Sequence, residues 1–185
     1  EMIKRLFDIL VSSFALILLS PVILMIAAQV WLKLGSPIFF WQRRAGLEGK
    51  PFTIVKFRTM REASDSQGCI LPDKNRMTAF GGFLRSYSLD ELPELLNVLK
   101  GDMSLVGPRP LLMEYMQLYT DEQIRRCKVK PGVTGWAQIN GWRGNTSLEK
   151  RIECDLYYIE RWSIWLDIKI LLLTLIRGFF NPHAY

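Results

Sequence analysis

The segment Ser88–Pro110 reads SLDELPELLNVLKGDMSLVGPRP, and the rest of the chain is organised around it. The S-x-x-E spacing that ends at Glu91 predicts a capping box and a helix that begins between positions 88 and 91 and ends at Gly101. On the residues alone, first-turn capping is the better explanation of the adjacent acids Asp90 and Glu91. The alternative is phosphate chemistry, because Arg109 stands close by between two prolines that stiffen its backbone.

The composition limits the classes of protein to consider. The 185 residues allow one domain and at most one appendage. Hydrophobic residues make up 49% and the mean hydropathy is +0.10, which is high for a soluble protein of this size. A net charge of +6 and a pI near 9.3 indicate an acidic partner such as nucleic acid, anionic lipid or a phosphorylated substrate.

Few residues are available for metal, redox or histidine chemistry. The three cysteines, Cys69, Cys127 and Cys154, are scattered, which favours a reducing compartment over a disulfide framework or a zinc site. The only histidine is His183, so acid–base or nucleophilic work falls to carboxylates.

An apolar run over Ile9–Leu34 is long enough to span a bilayer once. Ser20 and Pro21 stand at its middle, where a proline removes a backbone hydrogen bond and kinks or breaks a helix. Each half is then only about 18 Å long, well short of the ~30 Å hydrocarbon core. Cations at both ends favour a cytoplasmic position for both, and therefore a re-entrant helix, with a kinked span as the alternative. These cations are Lys4, Arg5, Lys33, Arg43 and Arg44.

Two β-rich runs, IFFWQRR and PFTIVKFRTM, are joined by a turn that contains Gly46 and Gly49, which predicts a β-hairpin. Alternation along the second strand places Lys56 and Arg58 on the same face as Ile54. On the residues alone, the solvated end of an edge strand is a slightly better interpretation of these two cations. The alternative is a basic wall that faces an anionic substrate.

The C-terminal half is predicted to be mainly helical. Residues 111–128 form an amphipathic pattern, and a Gly- and Trp-rich loop with Arg143 follows. The next helix, LEKRIECDLYYIERWS, carries Asp155. The last apolar segment contains Asp167 and Lys169, which suits a helix in the plane of a membrane interface as well as a core helix.

Taken together, these features indicate a membrane-associated phosphotransfer enzyme with an anionic, lipid-linked substrate. A carboxylate can attack a phosphoryl group to form an acyl phosphate, and Mg²⁺ with nearby cations can neutralise the phosphates. One alternative is a membrane-docking module without activity, in which the cations hold anionic lipid. A nucleic-acid-binding role is disfavoured because the positive charges are dispersed.

The segment Ser88–Pro110 resembles the signature block of the bacterial sugar transferase family, the monotopic phosphoglycosyl transferases. KRLFD, Ser20-Pro21, VKFRTM, PGVTGWAQINGWRG and DLYYIERWSIWLDIKIL resemble the same family in order and spacing. The resemblance implies an α+β fold, predominantly helical with a small β-hairpin. It also implies a monotopic membrane protein, with a re-entrant helix over residues 1–36 broken at Ser20-Pro21, interfacial amphipathic helices, and a catalytic domain over residues 37–185.

The resemblance also implies an activity. Members transfer a sugar-1-phosphate from a UDP-sugar to polyprenyl (undecaprenyl) phosphate and release UMP, by a ping-pong mechanism that depends on Mg²⁺. They catalyse the first membrane step of bacterial glycoconjugate synthesis, with the active site on the cytoplasmic face of the inner membrane. Membrane lipid is then a partner, and nucleic acid is not.

The site residues follow from the same match. Asp90 resembles the nucleophile and a Mg²⁺ ligand, and Glu91 its partner acid, either as a general base or as a support. The matched basic positions near the phosphates are Lys56, Arg58 and Arg109, with Arg143 as a further candidate for substrate binding. Asp155 matches a family acid to which no role is assigned. The NGWRG segment resembles hexose-1-phosphate transferases, and the donor sugar stays open between a hexose and an N-acetylated amino sugar.

Overall fold

A computed structural model of the protein describes residues 2–62, 71–144 and 146–180. The helices are α1 (Met2–Leu34), α2 (Asp73–Arg76), α3 (Ala79–Ser86), α4 (Glu94–Lys100), α5 (Trp136–Ile139), α6 (Leu148–Glu160) and α7 (Ile164–Phe180). The strands are β1 (Phe39–Ala45), β2 (Pro51–Phe57), β3 (Ser104–Val106) and β4 (Gly132–Thr134). Short 3₁₀ helices span Leu47–Gly49, Leu89–Glu91, Met113–Leu118 and Gln123–Lys128. Two residues discussed above, Cys69 and His183, lie outside the described residues.

The fold is mostly helical with two small sheets. β1 and β2 form the predicted antiparallel hairpin, in which Phe40 pairs with Lys56 and Arg43 pairs with Thr53. β3 and β4 form a parallel pair that the sequence did not reveal, because each strand is only three residues long. A parallel pair requires a long crossover, and residues 107–131 supply it.

The prediction of one amphipathic helix over residues 111–128 is wrong. Two short 3₁₀ helices occupy this crossover and are separated at Thr120. Thr120 Oγ1 accepts a hydrogen bond from the backbone N–H of Gln123 at 3.3 Å, and the Thr120 N–H donates to Gln123 Oε1 at 3.1 Å. This reciprocal T-x-x-Q capping box starts a new helical turn and interrupts the longer helix that the apolar pattern favoured.

The hydrophobic core lies between the hairpin, α4, the parallel pair and the last two helices. Its buried centre includes Ile54, Val98, Met103, Tyr158 and Ile170. On α7, the side that carries Ile170 faces this core. The opposite side of α7 exposes large apolar side chains, namely Trp165, Leu172, Leu175 and Ile176. The helix thus has a core face and an exposed apolar face, and its place at a membrane interface stays a prediction.

Helix α1 continues without interruption through Ser20 and Pro21. Pro21 has no N–H to donate to the carbonyl oxygen of Ile17, four residues before it. Ser20 Oγ donates to that oxygen instead, at 2.8 Å. The serine therefore satisfies the carbonyl that the proline leaves free, and the predicted break into two helices is not observed. Among the described residues, α1 is the one helix long and apolar enough to cross a membrane.

The first two turns of α1 are fixed to the domain by polar contacts. Arg5 donates to the carbonyl oxygens of Val98 and Leu99, at 2.6 and 2.8 Å, and so satisfies the C-terminal end of α4. The Asp8 carboxylate accepts a hydrogen bond from the backbone N–H of Leu105 at 3.1 Å. These residues of the KRLFD motif bind protein groups and are not free headgroup-binding charges.

A fully buried acid on α7, Asp167, anchors the same end of α1. Lys4 forms an ion pair with Asp167 and donates to the carbonyl oxygen of Val106 at 3.1 Å. Tyr158 and Trp162 also donate to Asp167, at 2.7 and 3.2 Å. The buried charge is thus paired and fully hydrogen-bonded, as burial of an ion requires.

The second half of α1 packs against the same domain. Ile26 and Val30 form a buried cluster with Phe57 at the end of β2 and Leu84 on α3. Both ends of the apolar helix therefore contact the domain that carries the carboxylates.

Candidate active site

Asp90 and Glu91 lie in the 3₁₀ helix Leu89–Glu91, and α4 begins only at Glu94. The predicted capping box is wrong: Ser88 has a φ of 54°, its side chain does not cap the helix, and its N–H donates to the carbonyl oxygen of Arg85. The acids are thus not engaged as helix caps. The predicted helix end is confirmed, since Gly101 ends α4 with a φ of 97°.

Glu91 is held between two cations. Lys56 Nζ lies 2.6 Å from Glu91 Oε1, and Arg109 donates to both carboxylate oxygens, with Nη1 3.2 Å from Oε2. Burial opposes ionisation of Glu91, but the charges of Arg109 and Lys56 outweigh it and lower the pKa of the carboxyl well below its usual value. Glu91 is therefore a fixed anion that orients the two cations.

Glu94 is a third acid of the cluster, which the sequence analysis missed. Its side chain is almost fully buried, and Lys56 Nζ lies 3.1 Å from Glu94 Oε1 without hydrogen-bond alignment. Burial and the negative charge of Glu91 raise the pKa of Glu94 to about 7. The available signal was the i, i+3 spacing from Glu91, which can place two side chains on one helical face.

Asp90 has a different environment from its neighbour. It is 7% exposed, and burial and the charge of Glu91 raise the pKa of its carboxyl. Among the described residues, no side chain or backbone group forms a hydrogen bond or an ion pair with this carboxylate. Lys56, Arg85 and Arg109 favour its charged form only through space. Such a carboxylate is available to a phosphorus atom or to a metal ion.

The cluster surrounds a small polar cavity of about 20 Å³, which is room for about one water molecule. Arg44 of β1 adds a third cation to its wall and donates to Gln42 and to the carbonyl oxygen of Pro110. Burial and the nearby Arg109 lower the pKa of Arg44. The cavity is lined by Arg44, Ile54, Lys56, Glu94, Arg109 and Pro110. Three cations therefore converge beside the acids, which suits an anionic ligand.

Asp155 acts on the site through the crossover. Arg126 donates to Asp155 Oδ2 from Nε and Nη2, at 3.0 and 2.7 Å, and both side chains are buried. The same Nη2 donates to the carbonyl oxygen of Arg109 at 2.8 Å, while Nη1 donates to the Tyr119 hydroxyl. Burial raises the pKa of Asp155 against the opposing charge of Arg126. Asp155 therefore fixes the backbone that presents the Arg109 guanidinium.

Two predicted site residues, Arg58 and Arg143, form no hydrogen bond or ion pair with Asp90, Glu91 or Glu94 in the described part of the chain. Arg58 follows the end of β2, so strand alternation no longer applies to it. It donates to the carbonyl oxygens of Leu34, Gly35 and Ser36, and thus satisfies the C-terminal end of α1. Arg143 lies half-buried in the loop between α5 and α6.

The acids provide only a partial site for Mg²⁺. No group of three or more Asp, Glu, Cys or His side chains that could hold a metal occurs within the described part of the chain. Mg²⁺ is commonly bound by one or two carboxylates together with substrate phosphates. Asp90, whose carboxylate has no cation on it, fits that mode, so Mg²⁺ would be held here only together with a phosphorylated substrate.

Buried carboxylates with shifted pKa values among converging cations are typical of the functional sites of enzymes. The chain belongs to the bacterial sugar transferase family, whose model matches residues 1–181.

Named relatives agree with this family. The chain is 59% identical to an uncharacterized sugar transferase, EpsL, of Bacillus subtilis, over 93% of this chain and 85% of that protein. It is 51% identical to a UDP-glucose:undecaprenyl-phosphate glucose-1-phosphate transferase of Klebsiella pneumoniae, over 98% of this chain and 41% of that protein. The corresponding Escherichia coli enzyme is 47% identical over 100% of this chain and 42% of its own length. The chain thus spans about two fifths of these two larger transferases.

Proposed function

We propose that the protein transfers a hexose-1-phosphate from a UDP-sugar to undecaprenyl phosphate and releases UMP. The observation that carries the proposal is the contrast between Asp90 and Glu91: one buried carboxylate without a cation beside another that two cations hold as an anion. The relatives named as glucose-1-phosphate transferases make UDP-glucose the first donor to test.

The reaction proceeds in two displacements. In the first, an Asp90 carboxylate oxygen attacks the phosphorus that carries the sugar. A new O–P bond forms as the bond to the bridging oxygen breaks, and UMP leaves with that oxygen and its electron pair. In the second, an oxygen of the lipid phosphate attacks the same phosphorus, and the O–P bond of the Asp90 acyl phosphate breaks. The carboxylate is regenerated and the product is the sugar diphospholipid.

The neighbouring residues supply charge and position. Lys56 and Arg109 stabilise the negative charge that develops on the phosphoryl oxygens, and Glu91 orients both cations. Asp90, with the substrate phosphates, would hold Mg²⁺. When bound, that ion neutralises further phosphate charge.

We further propose a re-entrant position for α1 in the bacterial inner membrane, with the active site on the cytoplasmic face. Contacts between the domain and both ends of α1 support this, because a straight span would carry one end across the bilayer. Cations near both ends of the apolar run agree with it.

An Asp90→Asn variant tests the chemistry. With UDP-glucose, undecaprenyl phosphate and Mg²⁺, we expect UMP release to fall by at least about 10³-fold, since the amide cannot serve as the nucleophile. In the absence of lipid, a UDP-sugar labelled in the sugar should label the parent protein covalently and leave the variant unlabelled. Membrane association should be unchanged.

The exposed acid Asp121 provides the matched control, because Asp121→Asn removes the same charge away from the site. An Asp90→Asn variant with normal turnover would contradict the proposed nucleophile. Failure of the parent to release UMP from any of a panel of UDP-sugars would contradict the proposed function and favour a membrane-docking module.

A further inference from the structure

A second cavity, of about 450 Å³, lies at the N-terminal end of α1. Its volume falls within the range of about 300–1,000 Å³ that is typical of small-molecule sites. Most of its wall is apolar and comes from Met2, Leu47, Val106, Val129, Ile159 and Trp162. The proposed reaction uses none of these side chains.

The rim of this cavity is cationic. Lys128 and Lys130 both line it, and neither forms an ion pair with any residue in the described ranges. Lys130 Nζ lies near Gly101, where an added Cβ would be 3.7 Å from it, whereas the neighbouring Arg5 guanidinium already donates to the carbonyl oxygens of Val98 and Leu99. Asp8 also lines the cavity, but its carboxylate accepts the N–H of Leu105. The excess positive charge calls for an anionic group.

The cavity lies beside exposed apolar residues at the start of α1. Met2, on its wall, is 88% exposed, and Ile3 and Leu6 beside it on α1 are also exposed. Trp162, which also lines the cavity, is an amphipathic side chain of the kind enriched at membrane interfaces. An apolar chain from the bilayer can therefore enter between these walls.

The cavity is separate from the carboxylate cluster. Leu47 lies at the turn of the hairpin, whereas Lys56 lies near the far end of β2, about 16 Å away along the strand. A lipid phosphate held by Lys128 and Lys130 would thus lie in a cavity that shares no lining residue with the small cavity beside the carboxylates.

We propose that this cavity binds an anionic phospholipid of the surrounding bilayer. The lipid phosphate lies between Lys128 and Lys130, and one hydrocarbon chain packs against the apolar wall. The bound lipid fixes the N-terminal end of α1 at the depth of the headgroups. This proposal rests on the proposed membrane position of α1 and not on the proposed reaction.

The test is native mass spectrometry of the protein released from bilayers that contain equal amounts of phosphatidylglycerol and phosphatidylcholine. The parent should retain phosphatidylglycerol in preference. In the Lys128→Gln, Lys130→Gln double variant, the ratio of bound phosphatidylglycerol to bound phosphatidylcholine should fall about fivefold for each lysine removed.

Leu47→Trp, which adds volume to the wall from the exposed hairpin turn, should also reduce the bound lipid. A Lys74→Gln, Lys150→Gln variant removes the same charge from exposed positions elsewhere and should bind as the parent does.

Three results would overturn the proposal. Equal retention by the parent and the Lys128, Lys130 variant would show that these lysines hold no headgroup. Equal losses in the two double variants would show general charge attraction only. Displacement of phosphatidylglycerol by stoichiometric undecaprenyl phosphate, with a raised KM for that lipid in the Lys128, Lys130 variant, would make the cavity the acceptor site instead.

Discussion

At the scale of single residues, the site depends on where the cations stand relative to three acids within five positions. Asp90, Glu91 and Glu94 are all desolvated. Of these three acids, only Glu91 has both Lys56 and Arg109 within hydrogen-bond distance, and only Glu91 has a lowered pKa. Burial alone would raise all three pKa values. The placement of the cations therefore lowers the pKa of Glu91 and leaves the pKa values of Asp90 and Glu94 raised.

Glu94→Gln tests this difference through the pH dependence of stability. The pKa of Glu94 rises from its usual 4.5 to about 7 in the folded protein, where it faces Glu91, Lys56 and Arg109. Between these values the folded state binds more protons than the unfolded state, so stability must fall as the pH rises, by up to about 1.4 kcal/mol per pH unit. We expect the Tm of the parent to drop between pH 5.5 and pH 7.5 by more than that of Glu94→Gln.

The exposed Glu149 on α6 offers the comparison for that experiment. Glu149→Gln should keep the pH dependence of the parent. Parallel Tm curves for the parent and Glu94→Gln would show that Glu94 is not protonated at neutral pH in the folded protein.

Residue types and motif resemblance predicted a site at Asp90, Glu91, Lys56 and Arg109, and the structure places these four residues close together. Glu94 was missed because its importance comes from burial, and neither burial nor proximity to Lys56 can be read from a short acidic segment. Arg58 was predicted to lie on the same face as Lys56, but β2 ends at Phe57 and the Arg58 side chain binds the C-terminal end of α1 instead.

At the scale of elements, Gly107 of VGPRP and Gly132 of PGVTG allow the start of the crossover to pack closely on β4. A Cβ at Gly132 would lie 2.1 Å from the backbone nitrogen of Gly107, and a Cβ at Gly107 would lie 2.5 Å from the carbonyl oxygen of Lys130. Both positions therefore exclude any side chain. This close backbone contact explains the glycines of VGPRP and PGVTG and places Arg109 at the end of β3.

Asp155→Asn tests the role of the crossover in holding Arg109. The change leaves the buried Arg126 without its counter-charge, so we expect a loss of roughly 3 kcal/mol in the free energy of unfolding. Because Arg126 also binds the carbonyl oxygen of Arg109, the KM for the UDP-sugar should rise in the fraction that remains folded. Chemical denaturation and steady-state kinetics measure the two effects.

Glu160→Gln breaks the exposed Arg125–Glu160 pair and is the matched control, with an expected change of at most about 0.5 kcal/mol. If Asp155→Asn were no more harmful than Glu160→Gln, the Asp155–Arg126 pair would have no part in positioning Arg109.

Local signals predicted the hairpin and the end of α4 at Gly101, since each depends on a turn or a glycine within a few residues. The parallel pair β3–β4 joins segments about 28 positions apart, and no local periodicity marks three-residue strands. The prediction of a capping box at Ser88 is wrong because Asp90 and Glu91 belong to a separate 3₁₀ turn that precedes α4.

At the scale of the whole molecule, α1 is part of the domain and not a detachable anchor. Arg5 and Asp8 bind α4 and β3 at one end, while Ile26 and Val30 pack against Phe57 at the other. The side away from the domain exposes large apolar residues along most of its length, including Leu6, Leu10, Phe14, Ile17, Leu18, Leu24 and Met25. A bilayer is the environment that would cover such a surface.

Cysteine labelling tests the topology of α1. In a background with serine at the three native cysteine positions, Ile3→Cys and Leu32→Cys place a thiol at an exposed position near each end of the helix. A membrane-impermeant maleimide should label both in inverted membrane vesicles and neither in intact cells, because re-entry leaves both ends on the cytoplasmic side. Leu18→Cys, exposed at the middle of the helix, should resist the reagent from both sides because hydrocarbon covers it. Labelling of Ile3→Cys and Leu32→Cys from opposite faces would establish a span and would require the contacts at one end of α1 to break in the membrane.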